Sequence, residues 1–323
     1  MESKGDLCEM KMKKLIAVLS MVSMVAVAAA GCGNGSDEST TDTTDTKAED
    51  TKTEAGTESG DWDSSTDITI VSREDGSGTR GAFIELFGIQ EEVDGEKVDM
   101  TTEEAQITNS TSVMMTTVAG DEYAIGYISL GSLDESVKAL KIDGAEATAE
   151  NVKSGDYKVS RPFNIATKKD LDNEVAKDFI NYIMSAEGQK VVEDNGYIAV
   201  EGAEAFEGTQ PSGKAVVGGS SSVAPVMEKL VEAYKEVNPN AEIELQTTDS
   251  TTGMTSAIDG SYDIGMASRE LKDEEIAELD AKVIATDGIA VIVNNNNAMD
   301  ELSSDQVKAI YTGEALTWDE VVE

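Results

Sequence analysis

The sequence predicts an α/β fold with a ligand crevice at the strand ends. Two observations predict it. Strand and helix signals alternate from about residue 67 to the end. Three of the strand-to-helix joints are loops of glycine and hydroxyl residues, the kind of joint that faces the crevice of an open sheet. The chain also has no His and only two Cys, Cys8 and Cys32, so His-based acid–base chemistry, Cys-rich metal sites and a disulfide framework are all excluded.

The first joint is the most informative. Residues 67–71 alternate apolar and polar and read as a strand; residues 81–87 carry helical apolar spacing. Between them runs Ser72-Arg73-Glu74-Asp75-Gly76-Ser77-Gly78-Thr79-Arg80. A helix start has free backbone N–H groups and a positive dipole end. Ser77 and Thr79 add hydroxyls, Gly76 and Gly78 permit close backbone approach, and Arg73 supplies a two-pronged cation. That set of parts suits a buried oxyanion; a plain hydroxyl-capped turn uses the same residues.

The second joint repeats the first. Residues 215–217 form a short apolar strand, Gly218-Gly219-Ser220-Ser221-Ser222 the loop, and residues 223–234 an amphipathic helix with Pro225 in its first turn. The third follows the alternating run 242–246: Asp249-Ser250-Thr251-Thr252-Gly253 opens another helix, with Ser250 as N-cap, ligand contact or both. Further along the fold, residues 163–167 read as a strand, 175–184 as a helix, and a second short helix follows Ser185. Several hydroxyl-rich helix starts suggest one oxyanion held by several helix ends.

These residues resemble a known family. SREDGSGTRGAF, Asn109-Ser110-Thr111, Ala124-Ile125-Gly126-Tyr127-Ile128-Ser129-Leu130 and Ser160-Arg161-Pro162-Phe163 are similar to the second half of the phosphate-binding protein of the bacterial phosphate ABC transporter. GGSSSVAPVMEKL, the run from Asp259 to Arg269, Asp287-Gly288-Ile289-Ala290-Val291-Ile292-Val293 and Ile310-Tyr311-Thr312-Gly313 are similar to its first half. The resemblance implies a two-lobed periplasmic-binding-protein-like fold of type II, with the ligand in the cleft between lobes. The halves stand in exchanged order here, which a circular permutation explains; a tandem fragment or a half-swapped dimer is the rival reading. On this reading one lobe comprises 67–131 plus 295–323 and the other 132–294, with 201–214 joining the family's old termini.

The resemblance also implies a ligand set. Arg73, Ser77, Gly78 and Thr79 come from the first loop, Ser221 and Ser222 from the second, and Ser250 from the third. Ser268 stands where the family often has an acidic proton acceptor, a departure that leaves Asp75 either to accept the proton or to orient Arg73. Arg80 and Arg269 are expected to pair with nearby carboxylates, and Tyr127, Tyr262 and Tyr311 to pack.

Upstream, Lys11, Lys13 and Lys14 precede the apolar run 15–30, and Ala29-Ala30-Gly31-Cys32 resembles a lipoprotein cleavage box with Cys32 as the lipidated residue. The alternative, an uncleaved anchor helix, would be somewhat short for a span. Residues 33–66 are polar and acidic and are expected to be a disordered tether of about 30 Å reach; Trp62 is its one residue suited to packing on the folded part. The net charge of −39 argues against nucleic acid and anionic lipid, so membrane contact would be through the lipid alone. It does not oppose a buried anion, because surface charge is screened within about 8–10 Å.

Without His or a free domain Cys no nucleophile–base pair can be assembled, so an enzyme is disfavoured, and no cofactor is expected. The resemblance implies extracytoplasmic capture of inorganic phosphate for the permease subunits of an ABC importer as the expected function. A receptor for sulfate, molybdate or a phosphonate, and a non-transport surface sensor or adhesin, are the other readings.

Overall fold

The computed structural model describes residues 62–322, with side chains to residue 321. Cys32, the leader and most of the expected tether lie outside them.

Strand β1 (Thr69–Arg73) leads into α1 (Gly78–Leu86). Strand β2 (Gln106–Thr108) leads into α2 (Thr111–Ala119), and β3 (Ala124–Ser129) follows. A long strand, β4 (Ser160–Lys168), precedes α3 (Glu174–Ile183) and α4 (Ala186–Asp194). Then come β5 (Gly213–Ser220) with α5 (Ala224–Val237), β6 (Ala241–Thr248) with α6 (Ser250–Asp259), and β7 (Ile264–Ala267). The strand β8 (Leu279–Val293) and α7 (Ser304–Thr312) complete the frame.

The strands lie in the order β6-β5-β7-β4-β8-β3-β1-β2. β6, β5 and β7 are mutually parallel, and so are β3, β1 and β2. Between the two trios β4 and β8 pair antiparallel, with Arg161 opposite Asp287. Each trio therefore points its hydroxyl-rich strand ends at helix starts, and the antiparallel pair carries the chain from one trio to the other.

Two apolar clusters divide the molecule. One joins Ile68, Ile70, Phe83, Leu140, Tyr157, Val159, Ile289, Val293, Ile310 and Trp318. The other joins Phe163, Phe179, Tyr197, Val217, Met227, Ile264 and Ala285. Their membership moves the expected lobe boundary. Residues 137–159 pack with the chain-end lobe, so the division falls near residues 160 and 287, not at 131/132 and 294/295. The physical reason is β8: one 15-residue strand runs through both clusters.

The two ends of the described chain lie together. The Ile68 N–H donates to the Leu316 carbonyl at 2.8 Å, and the Asp319 N–H to the Ser64 carbonyl at 2.8 Å. Trp62 does pack on the fold: its ring stacks on Tyr123 and meets Trp318 at 6.0 Å. The joining segment 201–214 is mostly exposed but pinned. Phe206 packs edge-on against Tyr182, and Thr209 donates through its N–H (2.7 Å) to the buried Asp178 carboxylate.

Candidate anion site between the lobes

The carbonyl ends of β1, β5 and β7 and the starts of α1, α2, α5 and α6 converge on one sealed knot of hydroxyls. In α1 the side chain of Ser77 caps the helix, accepting from the Arg80 N–H at 3.3 Å. The helix therefore begins at Gly78, three residues before the apolar spacing suggests. The correction matters, because it places Gly78 and Thr79 in the first turn, where N–H groups lack intrahelical partners. In α6 the cap is Asp249, whose carboxylate accepts from the Thr252 N–H at 2.9 Å. Ser250 is thus the first helical residue and not the cap, and its buried hydroxyl is left for the knot.

Hydrogen bonds cross between the lobes here. Thr79 Oγ1 meets Ser222 Oγ at 2.8 Å, and Thr111 Oγ1 meets the same atom at 3.2 Å. Arg73 Nη2 donates to Ser221 Oγ at 3.2 Å. Within the second lobe Ser220 Oγ donates to Ser268 Oγ at 2.9 Å, and the Ser268 N–H donates to Ser250 Oγ at 3.1 Å. Gly78 is required by this packing: a Cβ there would lie 2.7 Å from Ser268 Oγ and closer still to Ser250 Oγ. One lobe's helix start is pressed against the other lobe's hydroxyls.

Arg73 is buried to 1% exposure. Its Nε and Nη2 both donate to the Glu74 carboxylate at 2.8 Å, a two-pronged pairing. Nη1 is buried and has no partner. The strand end is fixed from behind by Tyr127, whose hydroxyl accepts from the Arg73 N–H at 3.2 Å and meets Ser72 Oγ at 2.8 Å. Burial pushes the Tyr127 phenol up to about 12, so it serves as a neutral hydroxyl.

The sequence-predicted residues divide clearly. Arg73, Gly78, Thr79, Ser221, Ser222, Ser250 and Ser268 come together. Ser77 is buried, but its hydroxyl is engaged as a cap. Asp75 is misplaced by the sequence reading: its side chain is 98% exposed and pairs with Arg80 at 2.9 Å. The turn after Arg73 sends Asp75 to solvent, and Glu74 is the residue that orients the guanidinium. Arg80 pairs with Asp99 and Asp75, and Arg269 with Glu275, as structural ion pairs. Tyr127, Tyr262 and Tyr311 are buried.

Sequence reasoning missed Thr111, Ser220 and Glu74. Thr111 had a usable signal. Asn109-Ser110-Thr111 is a hydroxyl-rich run opening a helix, the same pattern as the three joints that were singled out.

Comparisons with known proteins identify the family. Residues 27–187 and 204–322 match the PBP superfamily domain. The phosphate-binding protein PstS 2 of Streptococcus agalactiae serotype V is 60% identical over 256 residues, covering 79% of this chain and 87% of that protein. PstS 2 of Streptococcus pneumoniae serotype 4 is 46% identical over the same length and shares. A crystal structure of a phosphate ABC transporter phosphate-binding protein from Streptococcus pneumoniae TIGR4 matches with a TM-score of 0.64 and 44% identity, covering 79% of this chain and 100% of that one. A match of 256 residues spans both halves, so these relatives carry them in the same order as this chain. The chain belongs to the PBP superfamily and, within it, to the family of phosphate-binding proteins that includes the streptococcal PstS 2 proteins.

Proposed function

We propose that this protein captures inorganic phosphate outside the cytoplasmic membrane and delivers it to the permease subunits of an ABC importer. One observation carries the proposal. Arg73 is a buried cation with an unpartnered Nη1, set among hydroxyls contributed by both lobes. A tetrahedral oxyanion satisfies that arrangement, since its oxygens accept from the guanidinium, the hydroxyls and the first-turn N–H groups together. Each charge-assisted bond contributes about 1.5–3 kcal/mol, and a handful exceeds the roughly 8 kcal/mol of micromolar binding after desolvation losses. The role is binding and not catalysis. The names of the streptococcal relatives support the choice of phosphate.

Cys32 as a lipidated N-terminus fits this role, with the acidic tether giving the domain reach toward a membrane partner. The adjoining chain ends and the pinned 201–214 segment support a circular permutation that closes on itself: ends opened beside Thr69 and old termini joined at the far lobe.

Calorimetric titration tests the proposal. The protein should bind phosphate saturably at micromolar concentration or tighter, and Arg73→Ala should weaken binding by about 100-fold. With Asp75 turned to solvent and Glu74 engaged by Arg73, a ligand proton meets hydroxyls, which accept as well as donate. Sulfate and molybdate therefore belong in the same titration, and tighter binding of either would replace phosphate as the ligand. Equal phosphate binding by Arg73→Ala would remove the site assignment.

A further inference from the structure

We infer that Thr111, with the N-terminus of α2, is a direct ligand contact that forms another wall of the anion site. The inference rests on the phosphate reading above and adds a contact to it.

Ser221 Oγ is the focus of three contacts. Arg73 Nη2 reaches it at 3.2 Å, the Thr111 N–H at 3.4 Å and Thr111 Oγ1 at 3.5 Å. The Arg73 contact sits at the upper edge of the ordinary N–H···O range of about 2.7–3.2 Å, and both Thr111 contacts are longer than is ordinary for their type. A neutral hydroxyl oxygen at the centre of a guanidinium, an amide and a second hydroxyl draws them in weakly. An anionic oxygen at the same corner makes shorter, stronger bonds with the same donors. Two of the three contacts belong to Thr111.

The local structure leaves Thr111 free for this task. α2 has nine residues, and its cap is Ser110, whose hydroxyl accepts from the Val113 N–H at 3.3 Å. The Thr111 N–H therefore points past its own cap, to the Ser221 hydroxyl of the other lobe. The residue is 5% exposed, and Thr111 Oγ1 also meets Ser222 Oγ at 3.2 Å. Arg73 supplies an independent sign of a ligand: its guanidinium reaches the same Ser221 hydroxyl while its buried Nη1 has no partner. An unmatched positive group and a helix start thus share one corner.

Three substitutions in the full chain, titrated with inorganic phosphate, test the inference. Thr111→Val keeps the shape and removes the hydroxyl. Thr111→Ser restores the hydroxyl. Thr111→Pro removes both the N–H and the hydroxyl at the first helical position, where proline fits a helix. It follows Ser110, whose extended backbone (φ −161°, ψ 162°) is what a proline requires of its predecessor. The expected result is a Kd raised about 10-fold by Val, raised about 100-fold by Pro and largely recovered by Ser. The phosphate-free melting temperature should stay near the parent's for Val and Ser. Val and Pro variants that bind within about twofold of the parent, while Arg73→Ala loses binding, would overturn the inference and leave the phosphate reading standing. A parent that fails to bind phosphate would overturn the phosphate reading itself. Should the Pro variant not fold, equal affinities for Val and Ser would overturn the inference.

Discussion

Arg73 and Arg161 have side chains equally buried, at 2% exposure, yet they are built for different tasks. Arg73 holds the two-pronged Glu74 carboxylate, itself 23% exposed, and presents a free Nη1 beside hydroxyls of the opposite lobe. Arg161 faces Asp287, which is 1% exposed, through a single bond of 3.2 Å across the β4–β8 ladder where the chain passes between lobes, and its own Nε and Nη1 are buried without partners as well. Its Cζ lies 5.4 Å from the Phe163 ring centre. Burial alone therefore does not mark an anion site. The surroundings of the guanidinium do: hydroxyls of the opposite lobe and a partly exposed carboxylate in one case, a fully buried carboxylate inside the crossing strands in the other.

The comparison breaks most visibly on substitution. Asp287→Ala leaves the Arg161 charge buried without its partner, and should cost about 3–5 kcal/mol of folding stability in denaturant melts. The molecules that remain folded should bind phosphate much like the parent. Arg73→Ala should do the reverse, losing affinity while the melt changes little, because the Glu74 left behind is partly hydrated. If the two substitutions give the same pattern, the two arginines do not have separate tasks.

The pH profile sharpens the contrast. Burial raises the Asp287 carboxyl from 3.8 to about 6, with Arg161 and the surrounding hydrogen bonds opposing only in part. Tyr157 and Tyr197 also face it, and burial pushes both phenols up, so both are neutral here. A carboxyl raised in the folded state binds more protons folded than unfolded between those two values. Its contribution to stability is then complete below about pH 4 and is lost as pH rises through about 6. The stability of the parent relative to Asp287→Asn should fall across that window as pH rises. A flat or rising difference would show that Arg161 compensates the carboxylate fully.

The smallest effects separate the neighbouring carboxylates. Glu74→Gln should weaken phosphate binding by about 10-fold, since the guanidinium loses its charged orienting partner. Asp75→Ala should change it by less than about twofold, as an exposed pair with Arg80 contributes little. Equal losses from both would restore Asp75 to the site.

Much of this was legible in local pattern. The strands before the three hydroxyl loops and the helices after them are set by alternating and helical spacing, and the loop compositions marked the helix ends that meet. What failed depended on geometry that neighbours in sequence do not encode. Gly78 and Thr79 are weak helix formers and read as loop; the Ser77 cap brings them into α1. Glu74 and Asp75 are adjacent carboxylates, and only the turn after Arg73 decides which one meets the guanidinium. The lobe boundary was carried over from the resemblance, and local pattern does not show that β8 is one continuous strand entering both apolar clusters. Thr111 was seen in a family motif but not counted as a strand-to-helix joint, because β2, the strand before it, has only three residues, too few for a period to show.

The central claim is that one anion is held jointly by Arg73 and by hydroxyls from both lobes. A crystal structure of the protein grown with phosphate tests it most directly. The claim predicts phosphate oxygens within about 3 Å of Arg73 Nη1 and of hydroxyls from both α1 and the Ser221–Ser222 loop, with the Thr79–Ser222 bond opened to admit the ion. Phosphate bound elsewhere, or contacts confined to one lobe with the hydroxyl knot unchanged, would contradict it.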